Sequence, residues 1–286
     1  MSGETSIHHV VITRFATRMM ADGAAPSREW VEGRFGLFER YCLPSMQAQG
    51  RDDFVWLLLV DSDLDDDLLD RVRRYESVFA PIRVVTVESF GDAANIGQHV
   101  LAGVNIAHGA VLTTRLDSDD AVSEDYMSRL RAAAAEIPAG ESRVIVYTHG
   151  YELAKSRLYW RIFPRSPFAS LFEPAALSSP PTTILAANHE RVDALAPVIA
   201  LGAPAAWIQV VHDGNVLNRV RGIRVPRRLL AGRFAIDRDL IVAPEPIGSL
   251  LLGVIGSALR LGWQLITTPR YWAKVGDVVG LRRRLR

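Results

Sequence analysis

The chain has 286 residues, 33 basic against 32 acidic side chains, and 49% hydrophobic residues, a composition that can bury a large core and excludes disorder over most of the length. A charge balance this near zero also excludes a non-specific nucleic-acid binder, whose basic residues must outnumber and out-cluster its acids. One cysteine, Cys42, permits neither an intrachain disulfide nor a cysteine-based zinc site, and the polar start Met1 to Thr5 is followed by no signal-type apolar stretch, so the expected compartment is a reducing cytoplasm.

Apolar runs alternate with helical patterns from the first residues to about Gly150, with no internal repeat, which predicts β-α-β units and an α/β fold built on a mostly parallel sheet. The first strand is His8 to Phe15. A helix follows Ser27, with Trp30, Phe35, Phe38 and Tyr41 inward, and Pro44 should break or kink it. Phe54 to Val60 is apolar on consecutive residues, as a strand buried on both faces must be, and it ends at Asp61. Leu64, Leu68, Leu69 and Val72 recur at helical spacing, and Ile82 to Val87 is a β-branched strand. A Gly/Asn loop then leads to an amphipathic helix around Gly97 to Ala107, and Val111 to Leu116 is a strand ending at Asp117. Ligands of open α/β sheets bind beyond the carboxyl ends of the strands, so Phe15, Asp61 and Asp117 are expected to face one crevice. Beyond Gly150 the alternation weakens and prolines accumulate, which reads as loops and a smaller sheet completing the cleft.

The segment Arg115-Leu-Asp-Ser-Asp-Asp120 places several carboxylate oxygens just after an apolar strand, which suits a hard divalent cation, Mn2+ or Mg2+, also bound by phosphates. The competing reading is a helix N-terminus, since Ser123, Glu124 and Asp125 begin a helix nearby. Asp61 to Asp67 looks like a calcium loop but has Asp66 where glycine is required and Val72 where glutamate is. No P-loop, GxSxG elbow or GxGxxG fingerprint occurs, which disfavours kinases, lipase-type hydrolases and NAD enzymes. A second constellation is Trp207, Gln209, His212, Asp213 and Asn215. Here His212 offers a further metal ligand and Asp213 a base; the alternative has His212 packed in a helix that ends in an Asp213-Gly214 turn.

From Asn95 to Asp120 the text NIGQHVLAGVNIAHGAVLTTRLDSDD resembles the block of family-2-type glycosyltransferases of GT-A fold, in which an Asn-x-Gly loop, a helix and an Ala-x-Gly turn precede a strand carrying Asp-x-Asp. Val11 to Phe15, Tyr41-Cys-Leu-Pro-Ser45 with Gln49, and Trp207 to Asn215 narrow the resemblance to a rhamnosyltransferase family related to those enzymes. It extends from about His8 to Gly222. The resemblance implies a GT-A-like fold and transfer of a sugar, L-rhamnose by the family's naming, from a dTDP- or UDP-linked donor to a glycan or lipid-linked acceptor hydroxyl; if a β-linked donor gives an α-linked product, inversion follows from a single in-line displacement with one carboxylate as base. It implies that Asp61 reads the nucleotide base, Asp117 the ribose and Asp119 the metal, to which His212 is the candidate extra ligand. Thr13, Arg14, Phe15, Asn95 and Arg115 are placed on the donor side, Glu152, Glu173 and Trp207 on the acceptor side, and Asp213 is the expected base.

Two rivals stand beside this reading. A nucleotidyltransferase of similar fold would carry a Gly-rich signature where Thr13-Arg14-Phe15-Ala16 stands, and a non-catalytic nucleotide- or glycan-binding relative would have no need of Asp117, Asp119 and His212. The expected organisation is one glycosyltransferase domain over 1–240, its donor half about 1–122 and its acceptor half about 123–240, followed by a helical extension over 241–286. Within that extension, Ile247 to Ile266 has too few apolar residues before Arg260 to span a bilayer. It reads as a docking helix, or as a peripheral membrane contact with Trp263, Trp272, Arg282, Arg283, Arg284 and Arg286 at an anionic interface.

Overall fold

The computed structural model describes residues 6–19, 22–50, 52–89, 93–103, 109–174, 180–212 and 220–267. Strand β1 (Ile7–Ala16) leads through helix α1 (Arg28–Leu37), a π-helical segment (Phe38–Cys42) and α2 (Leu43–Gln47) to β2 (Phe54–Asp61); α3 (Asp66–Val78), β3 (Ile82–Val87), α4 (Ala93–Gly103) and β4 (Ala110–Arg115) follow. Pro44 has no N–H to give to the preceding turn, and the helix accommodates it by widening to π geometry and restarting with the proline in the first turn of α2. Phe38 and Tyr41 are still buried. One expectation needs correcting: Asn95 and Gly97 lie inside α4, not in a loop before it. Gly97 is needed there for packing, since a Cβ would come within 2.4 Å of the Pro181 carbonyl oxygen.

After β5 (Ala121–Val122) and α5 (Tyr126–Ala135) come β6 (Arg143–Tyr147), β7 (His149–Ala154), β8 (Arg157–Ile162), β9 (Ala169–Pro174), β10 (Val198–Leu201), β11 (Trp207–Val211) and β12 (Ile223–Val225), then α6 (Arg238–Val242) and α7 (Ile247–Thr267). Seven strands form one sheet in the order β10-β6-β9-β4-β1-β2-β3, and only β9 runs against its neighbours. Five form a second sheet, β12-β8-β7-β11-β5. This is the GT-A-like α/β arrangement that the resemblance implies. The large sheet is not confined to the first half of the chain, however, because β6, β9 and β10 complete it from residues 143–201.

The sheet is covered on both faces, as parallel strands require. On one face Phe15, Phe35, Phe38, Trp56, Val72, Tyr75, Met127 and Leu130 join α1, α3 and α5 to the sheet; on the other Val10, Ile12, Leu57 and Leu59 pack against Ile96 and Val100 of α4. The small sheet has its own core of Tyr151, Leu153, Leu158, Ile208, Val210 and Phe234. Helix α7 packs on β12, at the edge of that sheet. No helix among the described residues is long and apolar enough to cross a membrane.

Candidate active site

A cleft of about 500 Å³ opens at the carboxyl ends of β1 and β4, within the size range of small-molecule sites. Arg14, Thr17 and Arg18 line it from the end of β1, Trp30 and Arg34 from α1, Asp117 to Asp120 from the turn after β4, and Gln209 from β11. The pairing of β1 with β2 slips by one residue between Arg14 and Ala16. Such a bulge re-aims side chains, and it comes where the strand delivers Arg14 to the cleft.

The acidic turn is braced from behind. Gln49 donates from Nε2 to the carbonyls of Ser45 (2.7 Å) and Ser123 (2.9 Å) and accepts the N–H of Met127 (2.9 Å), while Ser45 Oγ accepts the N–H of Val122 (3.2 Å). The Tyr41-to-Ser45 segment and Gln49 therefore act as a bracket on residues 122–127, and only through them on the site. Asp119 is 7% exposed, and its Oδ2 meets both Arg34 Nη1 (2.8 Å) and His212 Nε2 (2.9 Å). Arg34 is buried and stacked over the Trp30 ring at 4.4 Å. Asp117 pairs with Arg115 at 3.2 Å. Burial opposes the ionisation of Asp117, but the guanidiniums of Arg115, Arg14 and Arg34 outweigh it and hold the carboxyl below its ordinary range. Asp120 is the opposite case: burial first, then the charges of Asp119 and Asp117, push its carboxyl well above that range, although its Oδ1 accepts the N–H of Val210 at 2.9 Å.

Two buried hydroxyls on the cleft wall, those of Thr17 and Ser118, find no hydrogen-bond partner among the described residues. Buried hydroxyls are normally satisfied, so two unsatisfied ones on residues that line the cleft mark it as a candidate ligand site. Among the described residues no group of three or more His, Cys, Asp or Glu side chains is arranged to hold a metal ion.

The family described as "Putative rhamnosyl transferase" matches residues 16–224, well over half of the chain. The chain belongs to this family. The matched span takes in the whole cleft wall except Arg14. No curated relative matches the chain. Among solved structures, S. aureus TarS 1-349 in complex with UDP is 16% identical with a TM-score of 0.42, covering 72% of this chain and 60% of its own, and TarS 1-349 without that ligand gives 16%, 0.40, 71% and 60%. A further TarS structure gives 15% and 0.39, with 71% of this chain covered and 37% of its own. The chain thus spans three fifths or less of the TarS chains it resembles, and at such scores the likeness is a loose one.

Of the residues expected on the donor side, Arg14 and Asp117 reach the cleft, with Arg115 beside Asp117. Asp119 and His212, expected to share a metal, are in direct contact with each other. Thr13 and Phe15 do not reach it. Both face the core side of β1, where Thr13 Oγ1 accepts the indole N–H of Trp56 (2.8 Å) and Phe15 packs on Phe35 and Phe38. Asp61 is at the strand end but closed to a base. Arg18 donates to it from N, Nε and Nη2 at 2.9, 2.9 and 2.6 Å, and the N–H of Asp63 adds a fourth donor at 3.1 Å. Asn95 is in the first part of α4, with its side chain outside the described residues, as is all of Asp213.

The acceptor-side set is dispersed. Trp207 is fully buried, stacked on Phe168 with centroids 4.9 Å apart and bonded from Nε1 to the Tyr147 carbonyl (2.9 Å). Glu152 is saturated by Arg161 (2.5 Å) and the N–H groups of Arg221 (2.7 Å) and Gly222 (2.8 Å). Glu173 lies opposite Val111, at the start of β4 and so at the far end from Asp117, where it accepts the N–H groups of Thr182 and Thr183 at 3.1 Å. His212 follows strand β11 and no helix. The cleft residues that sequence reasoning passed over include Thr17, Arg18, Arg34 and Ser118. Arg34 had a signal: it stands three residues after Val31 and four after Trp30, on the inward stripe of an amphipathic helix where a basic residue is out of place.

Proposed function

We propose that the chain transfers a sugar, L-rhamnose by family membership, from a dTDP- or UDP-linked donor to a hydroxyl of a glycan or lipid-linked acceptor, with inversion. The observation that carries this reading is the meeting of Arg14, Arg18 and Arg34 with Asp117, Asp119 and Asp120 in one cleft whose walls also hold the unpartnered Thr17 and Ser118 hydroxyls. A nucleoside diphosphate leaves with growing negative charge, and guanidiniums already fixed beside it stabilise that charge without reorganising. Arg34 is fixed by Asp119 and Trp30, and Arg18 by Asp61, so Asp61 acts on the donor by orienting Arg18. Asp117 remains ionised beside Arg115 and suits a ribose hydroxyl.

A divalent cation belongs to this proposal: the described residues offer no ready-made set of three ligands, but three carboxylates crowd one turn, and a cation would relieve the repulsion that disfavours Asp120. Asp119 and His212 would hold it, and it would supply Lewis-acid neutralisation of the diphosphate. The acceptor hydroxyl must lose its proton as the bond forms. In this reading Asp213, next in sequence to His212, is the base, since Glu152 and Glu173 are engaged by Arg161 and by backbone N–H groups.

Titration calorimetry of dTDP and UDP with and without manganese tests the reading. Asp119→Ala should keep the fold and lose the manganese-dependent part of the affinity. Equal affinity of parent and variant in manganese would remove the metal site, and binding of neither nucleotide by the parent would remove the donor.

A further inference from the structure

Helix α7 carries its apolar side outward. The side that docks on β12 is small or polar. A Cβ on Gly253 would come within 2.8 Å of Arg224 Cγ, Ser257 Oγ accepts the N–H of Arg224 (3.3 Å), and Arg260 Nη2 donates to the Gly222 carbonyl (2.8 Å). At 100° per residue the opposite half presents Ile247, Leu251, Leu252, Ile255, Leu259 and Trp263, of which Ile247 is 83%, Leu252 73%, Leu259 70% and Trp263 68% exposed. Arg260 is the only charged residue between Ile247 and Thr267, and it is turned to the docked side, so the outward half carries no charge. Exposed apolar residues scattered singly are normal, but a contiguous, uncharged stripe along a 21-residue helix marks a surface that something covers.

We propose that α7 is an interfacial anchor that lays this stripe into the headgroup–acyl boundary of an anionic bilayer. Its orientation is along the surface: no helix among the described residues is both long and apolar enough to cross, and the charge of Arg260 divides α7. Charge selects the bilayer over a second copy of the chain. After Glu245 the sequence holds seven basic residues, Arg282 to Arg284 among them, against the single acid Asp277. Anionic lipid attracts that excess of positive charge, which a second copy carrying the same net charge in this segment does not. Trp263, at the end of the stripe, suits the interfacial layer. The anchor also lies beside the cleft. Strand β12 is three strand spacings, about 14 Å, from β11, which supplies Gln209 to the cleft wall. This last point rests on the glycosyl-transfer reading and would suit an acceptor held in lipid; the anchor itself stands on α7 alone.

Flotation of the full chain with vesicles of phosphatidylglycerol and phosphatidylcholine in equal parts, against phosphatidylcholine alone, tests the anchor without measuring activity. The parent should float with the anionic vesicles and bind them at least about tenfold more tightly than the neutral ones. The double variant Leu252→Glu, Leu259→Glu replaces two exposed residues, so its melting temperature should match the parent's while its vesicle affinity falls at least about tenfold. Equal flotation of parent and variant, or no flotation of the parent, would overturn the proposal. So would a parent dimer in sedimentation velocity that the double variant dissociates, which would assign the stripe to a second copy.

Discussion

Asp120 is buried beside two carboxylates, with one backbone N–H as its recorded support. Because its folded-state carboxyl is raised above the unfolded value, the folded state binds the proton more tightly, and stability falls as pH rises from the unfolded value of about 3.9 toward the folded one. Asp120→Asn keeps an oxygen for the Val210 N–H and removes the charge. Without added metal or donor it should melt above the parent at pH 7, and the gap should close as pH falls toward 4; a variant that melts below the parent at pH 7 would show that the charge is compensated. Asp213 tests the other half of the chemistry. Asp213→Asn should lower turnover by ~10²–10⁴, the usual worth of a positioned base, while dTDP binds within a few-fold of the parent. Lost donor binding would assign Asp213 to the metal, and near-normal turnover would leave the base elsewhere.

Each strand has a working end and a packing side, and the two are easily confused from composition. Trp207 stands in a segment rich in polar side chains, yet β11 turns it into the layer between the sheets, onto Phe168 and against Gly150. Its loss is therefore a core loss. Trp207→Ala should cost about 3–5 kcal/mol in urea unfolding, whereas a tryptophan that only stacked on an acceptor would change kcat/KM and leave the unfolding midpoint where it was. Glu152 has a similar history: on β7 it ties Arg161 of β8 to the backbone of Arg221 and Gly222 just ahead of β12, so it holds three strands in place.

In the whole molecule the two sheets share one chain path. β4 and β6 belong to the large sheet, β5, β7 and β8 to the small one, β9 and β10 again to the large one, and β11 and β12 to the small one. Neither sheet can come apart and leave the other's connections intact, so thermal unfolding should show one transition with a calorimetric enthalpy of roughly 200 kcal/mol near 60 °C, matched by the van't Hoff value. Two resolved transitions would show that residues 1–122 and 123–240 behave as separate units after all.

What the sequence by itself determined is what local pattern can carry: the apolar run of β2, the boundaries of β3, the acidic turn after β4 and the excess of base over acid after Glu245. These depend on neighbours a few residues apart. Only the tertiary structure decided which threonine reaches the cleft, because Thr13 and Thr17 differ by where β1 ends and how its bulge turns it. Only it decided that Asp61 is taken by Arg18, 43 residues earlier, that Asp119 is held by Arg34, and that Glu152 and Glu173 are committed to backbone donors. The partner of a buried charge is set by which chain segments the sheet order brings together, and that order places side by side residues whose separation along the chain carries no period to read.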